Sequence, residues 1–185
     1  MHANFDDLGK YRRGRVWVNE FPLIPYPSRG KKTNVFSSNI PSIAPCSITV
    51  ELIIAARMVS NYAFIGLSYD PSVQDKLEVE VEIGYEKGEI VYEVIAMQPE
   101  EVRLGIPEEY TDAILDEIRV LSEESIIEIP SGKIHIHLGA HGSVASSSVS
   151  FRKAIQVLIK LLVVKDWTVP ILKETIVNVI DSEIS

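Results

Sequence analysis

The sequence predicts an α+β fold, a two-layer sandwich in which two helices cover one face of a mainly antiparallel sheet. Three observations carry this. LEVEVEI (77–83) and IHIHL (134–138) alternate apolar and polar residues with the period of a strand. Tyr110, Ile114, Ile118 and Leu121 recur at the three- and four-residue spacing of a helix. Val149, Ile155, Leu158, Ile159 and Leu162 give a second helix a broad apolar face.

RVWVNEF (15–21) reads as a short strand. Residues 1–47 form a basic, proline-rich extended segment, in which Pro22, Pro25, Pro27, Pro41, Pro45 and Gly30 oppose both helix and central strand. A single α+β domain is expected over 48–185. Its first stretch, ITVELIIAARMVSNYAFIGL, is apolar throughout, and periodicity leaves helix and paired strands open. After the strand at 77–83, GYEKGE turns the chain, and IVYEVI (90–95) is expected to be that strand's hairpin partner. Pro107 suits a first helical position, and Glu108 and Glu109 complement the positive end of the helix dipole. IIEIPSGK reads as strand or turn. Residues 139–145 read as a loop almost without side chains, after which Ser146 to Ser148 offer capping hydroxyls to a helix ending near Val164. IVNVI (176–180) is expected as a final strand.

Composition narrows the function. One cysteine, Cys46, excludes an internal disulfide, and the first residues lack the apolar stretch of a secretory signal. The longest apolar run, IQVLIKLLVV, is far short of the roughly 20 residues that span a bilayer. A cytoplasmic protein without a membrane partner is expected, and its oligomeric state is left open. The net charge of −8 is unevenly placed. Residues 1–35 hold seven basic and three acidic side chains, a balance of +4, against −12 for the rest. Arg12, Arg13, Arg15, Lys31 and Lys32 are therefore the candidates for neutralising RNA phosphates or meeting an acidic partner. No G-x-x-x-x-G-K-[ST] occurs, so no P-loop and no GTPase is expected.

Few residues point to catalysis. Glu78, Glu80 and Glu82 read as a solvated strand face. His135 and His137 share a face, but no third ligand accompanies them at recognisable spacing, so neither a metal nor a cofactor is expected. Cys46 has no histidine near it in sequence, and Ser146 to Ser148 have only His141 close by, so no catalytic residue is expected.

Three stretches resemble domain IV of bacterial elongation factor G, in family order and near family spacing. GIPEEYTDAILDEI (105–118) resembles the start of that domain's first helix. GAHGSVASSSVSFRKAI (139–155) is similar to its Gly-Ser-Tyr-His-Asp-Val-Asp-Ser-Ser loop and second helix, and PILKETI (170–176) resembles its exit segment. GEIVYEVI (88–95) resembles the strand before the first helix, and the likeness covers about residues 77–180. The resemblance implies a left-handed βαβ crossover, as in a ribosomal small-subunit protein and the GHMP kinases. It also implies a non-catalytic module that contacts ribosome, RNA or a translation-related protein. His141, Gly142 and Ser143 fall at the family's tip, where Gly142 replaces the tip histidine and Ser143 and Ala145 replace two aspartates. Two other functions stay open: a phosphate-binding or phosphoryl-transfer protein related to GHMP kinases, using GAHGSVASSS, and an assembly protein that buries residues 48–67 against a partner.

Overall fold

A computed structural model describes residues 1–54 and 61–182. Among them are eight strands and three helices. The strands are β1 (His2–Phe5), β2 (Arg13–Val18), β3 (Lys31–Ser37), β4 (Cys46–Ile53), β5 (Tyr62–Pro71), β6 (Lys76–Glu82), β7 (Val102–Leu104) and β8 (Gly132–Gly142). The helices are α1 (Glu108–Glu123), α2 (Ser148–Leu162) and α3 (Val169–Asp181). One open sheet runs β1-β2-β4-β5-β8-β6-β3, with β7 pairing the far end of β8. Every pair is antiparallel except β6 and β8, which α1 joins as a parallel unit. The fold is α+β, as the sequence predicts.

The apolar stretch 48–67 forms two paired strands, with residues 55–60 outside the described residues. β-branched and aromatic residues favour extended chain, and both faces of these central strands are covered, so alternation is lost. Ile48, Val50, Leu52, Ala63, Ile65 and Leu67 are buried in the chain's own core beneath the helices. α1 lies over β3 and β6, α2 lies over β4 and β5, and the two helices touch. Residues 1–47 contain no helix. They contribute β1, β2 and β3 to the same sheet, and Ala3, Phe5, Leu8, Val16 and Val18 to the same core.

Three expectations are corrected. IVYEVI is not a hairpin strand, because β3 and β8 already occupy both edges of β6. Apart from an isolated bridge between Ile90 and Arg103, residues 84–101 form an irregular strap. Val91, Val94, Ile95 and Ala96 of the strap pack on Trp17, Tyr62, Phe64 and Val102, covering part of the face opposite the helices. IVNVI lies inside α3, so a third helix joins the expected two. Thr168 caps Ile171, a proline stands in the first turn, and Leu172, Ile176 and Val179 are buried at helical spacing. Finally, Gly139 to Gly142 are still strand rather than loop. A Cβ on Gly139 would stand 2.6 Å from the Ile106 side chain and 2.8 Å from the Phe64 carbonyl oxygen. Side chains are small there because neighbours press on the strand from both sides.

α1 begins one residue later than expected, with Pro107 at its N-cap. α2 opens on a capping box in which Ser147 and Ser150 serve each other's backbone N–H. Among the described residues no helix is long and apolar enough to cross a membrane.

Candidate functional site

The cations that the sequence marks for RNA are mostly turned inward or paired. Arg12 is only 5% exposed. Its guanidinium donates to the carbonyls of Leu8 and Gly9 and lies 2.7 Å from Asp181, tying the β1–β2 loop to the end of α3. Arg15 stands directly across from Glu51 in the β2–β4 register. Its Nε donates to Glu51 Oε2 at 2.6 Å, Nη2 donates to the Glu93 carbonyl at 2.7 Å, and the guanidinium lies 5.2 Å from the Trp17 ring centre. Lys31 pairs with Glu80 at 3.2 Å. Lys32 pairs with Asp112 at 2.5 Å and Glu108 at 3.1 Å, and their hydrogen bonds push the ammonium pKa up while holding Glu108 below the usual carboxylate range. Arg13 alone of the five has no ion pair among the described residues. The positive and negative segments separated in sequence thus meet in space.

The other predicted site residues, His141, Gly142 and Ser143, line a cleft of about 530 Å3 at the end of β8, with Tyr110, Lys87 and Arg103 around them. His141 is not an exposed tip. It is buried against the α1 side, its Nδ1 2.8 Å from the Gly105 carbonyl and its Nε2 3.2 Å from that of Glu86, so neither ring nitrogen faces a serine. The turn after Gly142 already holds an anion of its own. Glu100 Oε1 accepts from the backbone N–H of Val144 at 2.9 Å and Ala145 at 3.2 Å, with the Ser143 hydroxyl at 3.4 Å. Ser146 accepts from Gly142 N–H and donates to the Tyr62 carbonyl, and Ser147 and Ser150 are spent on the capping box. Phosphate would have to displace Glu100, and the serines that would contact it serve the backbone.

On the other side of the strap lies a cleft of about 500 Å3. Trp17 forms its floor, stacked between His2 at 4.8 Å and Phe64 at 5.6 Å. Arg15, strap residues 89–93, Leu23 and Ile24 line it as well. Ile24 and Tyr92 at its rim are exposed, as are Phe21 and Met97 nearby in sequence. Beneath the strap, Glu51 is a wholly buried carboxylate that accepts from Arg15, from the Tyr62 hydroxyl at 2.8 Å and from the Ile95 N–H at 2.7 Å. Burial, and then the Glu51 charge, raise the Tyr62 pKa well above normal, so the phenol stays a donor.

Sequence reasoning missed Glu51, Glu100 and Trp17. Glu51 did leave a signal: one charge in the middle of ITVELIIA demands a buried partner. No comparable signal marks Glu100, which reaches its partners across 43 residues or more. Burial and then Asp70 push the Cys46 thiol up to about 11, which keeps it protonated and weakens it as a nucleophile. No family model, curated protein or solved structure matches the chain.

Proposed function

We propose that this chain is a non-catalytic, cytoplasmic binding module with an elongation factor G domain IV-like frame, which docks on a protein surface of the translation apparatus rather than on naked RNA. On this reading the β6–α1–β8 crossover is the left-handed one of that family, and the β8–α2 junction is its tip. The observation that carries the choice of partner is the internal pairing of the cations. Arg12, Arg15, Lys31 and Lys32 already face carboxylates, so binding phosphate through them means breaking ion pairs, a cost set against the counterion release that drives such binding. The net charge of −8 opposes the same contact at long range. What the surface offers instead is the Trp17 cleft, with exposed apolar side chains beside a single guanidinium, the mixture that protein interfaces favour. GHMP-kinase-like phosphate binding is disfavoured by Glu100 in the turn.

Co-sedimentation with ribosomal particles, run beside fluorescence anisotropy with a naked RNA oligonucleotide, tests the reading. The expected result is particle binding that is lost in the Ile24→Ser, Tyr92→Ser double variant, with no saturable RNA binding. RNA binding that weakens steeply with salt, or particles that do not retain the chain, would overturn it.

A further inference from the structure

The half of the second sheet face beyond the strap carries a cluster of metal-ligating side chains that lies outside the proposed docking surface. Glu80 and Glu82, two apart on β6, project to this face, and the parallel register sets His135 of β8 directly beside Glu80. His135 Nε2 lies 2.9 Å from Glu82 Oε1 and 3.4 Å from Glu80 Oε1, and one ligand atom from each residue falls within 4.8 Å of the others. We propose that Glu80, Glu82 and His135 form a site for a divalent transition-metal ion of the zinc class.

The far oxygens of both carboxylates are already held. Glu80 Oε2 faces Lys31 at 3.2 Å and Lys133 at 3.4 Å, and Glu82 Oε2 accepts from the Ser28 hydroxyl at 2.6 Å. Both near oxygens are thereby aimed at the same imidazole nitrogen, the arrangement by which outer hydrogen bonds orient metal ligands. Ligands at zinc distances in a tetrahedron stand roughly 3.3–3.5 Å apart. The 3.4 Å between His135 and Glu80 already fits, the 2.9 Å between His135 and Glu82 has to open by a few tenths of an ångström, and the two carboxylate oxygens, within 4.8 Å of each other, settle around the ion by side-chain rotation. The neutral imidazole carries its one proton on Nδ1 when Nε2 binds the ion, and the ion sits between Nε2 and the two carboxylates.

Charge allows this. Around the site stand Glu78, Glu80 and Glu82 against Lys31 and Lys133, a balance of −1 with His135 neutral. One imidazole and two carboxylates suit zinc, cobalt or manganese better than calcium or magnesium, which prefer all-oxygen shells. The His135 and Glu82 side chains are 29% and 20% exposed, leaving a path for the ion and room for a water ligand.

A second observation points to the same face. His137 is the residue without a β5 partner at the bulge between Gly66 and Leu67, and its ring centre lies 4.7 Å from that of His135. Its Nε2 is 3.3 Å from the Ser68 hydroxyl, while its Nδ1 is sealed from solvent and has no hydrogen-bond partner. Of the two imidazoles, His137 is thus the one that its protein neighbours leave with an unsatisfied nitrogen, next to the proposed ligand His135.

Isothermal titration of the full chain with zinc chloride in a non-chelating buffer is the test. One saturable site is expected, with a melting temperature that rises on zinc addition and returns on chelation. His135→Gln and Glu82→Gln should each weaken binding at least about tenfold, and His2→Gln should leave it unchanged. No saturable heat, or equal binding by wild type and His135→Gln, would overturn the site and leave the three residues as an ion-paired cluster only. Should His135→Gln fail to fold, manganese added to the wild type gives an independent reading. Paramagnetic broadening centred on His135 supports the site, and broadening centred elsewhere refutes it.

Discussion

Removing the Glu51 carboxylate should detach the strap and cost more stability than any surface charge. Glu51→Ala strands three donors at once: the Arg15 guanidinium, the Tyr62 hydroxyl and the Ile95 N–H. Breaking a buried pair by deleting one partner costs about 3–5 kcal/mol. Arg15 is 21% exposed and keeps its bond to the Glu93 carbonyl, so part of its charge stays solvated and the lower end, about 3 kcal/mol, applies. With a urea slope of about 2 kcal/mol/M, the midpoint should fall by about 1.5 M. Glu51→Gln keeps the volume and one acceptor oxygen but sets an amide against Arg15, and should lose about 2 kcal/mol. Amide exchange adds a local readout, because Ile95 N–H should lose its protection in both variants. A midpoint within about 0.3 M of the wild type, or an Ile95 amide that stays protected, would refute the clamp.

Gly139→Ala forces a Cβ against the Phe64 backbone and the Ile106 side chain, and should cost about 2–3 kcal/mol in urea unfolding. Gly142→Ala should be milder, about 1 kcal/mol, because its Cβ would meet the movable Glu100 carboxylate at 2.6 Å. Its signature is faster exchange at Val144 and Ala145, whose N–H groups lose their acceptor. Asp116 is held below the usual carboxylate range by hydrogen bonds from Arg119 and then Arg152. A depressed folded pKa contributes stability that is complete above the unfolded value, near 3.9, and is lost as pH falls through the folded one. Asp116→Asn should therefore lower stability at neutral pH, by less than about 1 kcal/mol at this exposed site, and flatten the decline below about pH 4 in acid titrations.

What was legible in the sequence was local. The strands at 77–83 and 134–138, the helix after Pro107 and the helix after Ser147 follow from periodicity and capping residues that act within a few positions. IVYEVI and IVNVI misled because short apolar runs fit strand, strap and helix alike, and only the occupied edges of β6 and the packing of α3 on α2 decide between them. The candidate site failed for the same reason. Arg12, Arg15, Lys31 and Lys32 look like a basic arm when read along the chain, but their carboxylate partners lie between 36 and 169 residues away. Small residues at 139–142 indicate tight packing as readily as a flexible loop, and Glu80 gains His135 as a neighbour only through the parallel β6–β8 pairing.

Hydrogen exchange of the chain bound to ribosomal particles tests the docking surface most directly. The account predicts new protection at Phe21–Ile24 and at strap residues 89–97, with residues 10–13, 31–32 and 143–147 exchanging as in the free chain. Protection confined to the basic residues or to the turn at Ser143 would contradict it and return the contact to phosphate recognition.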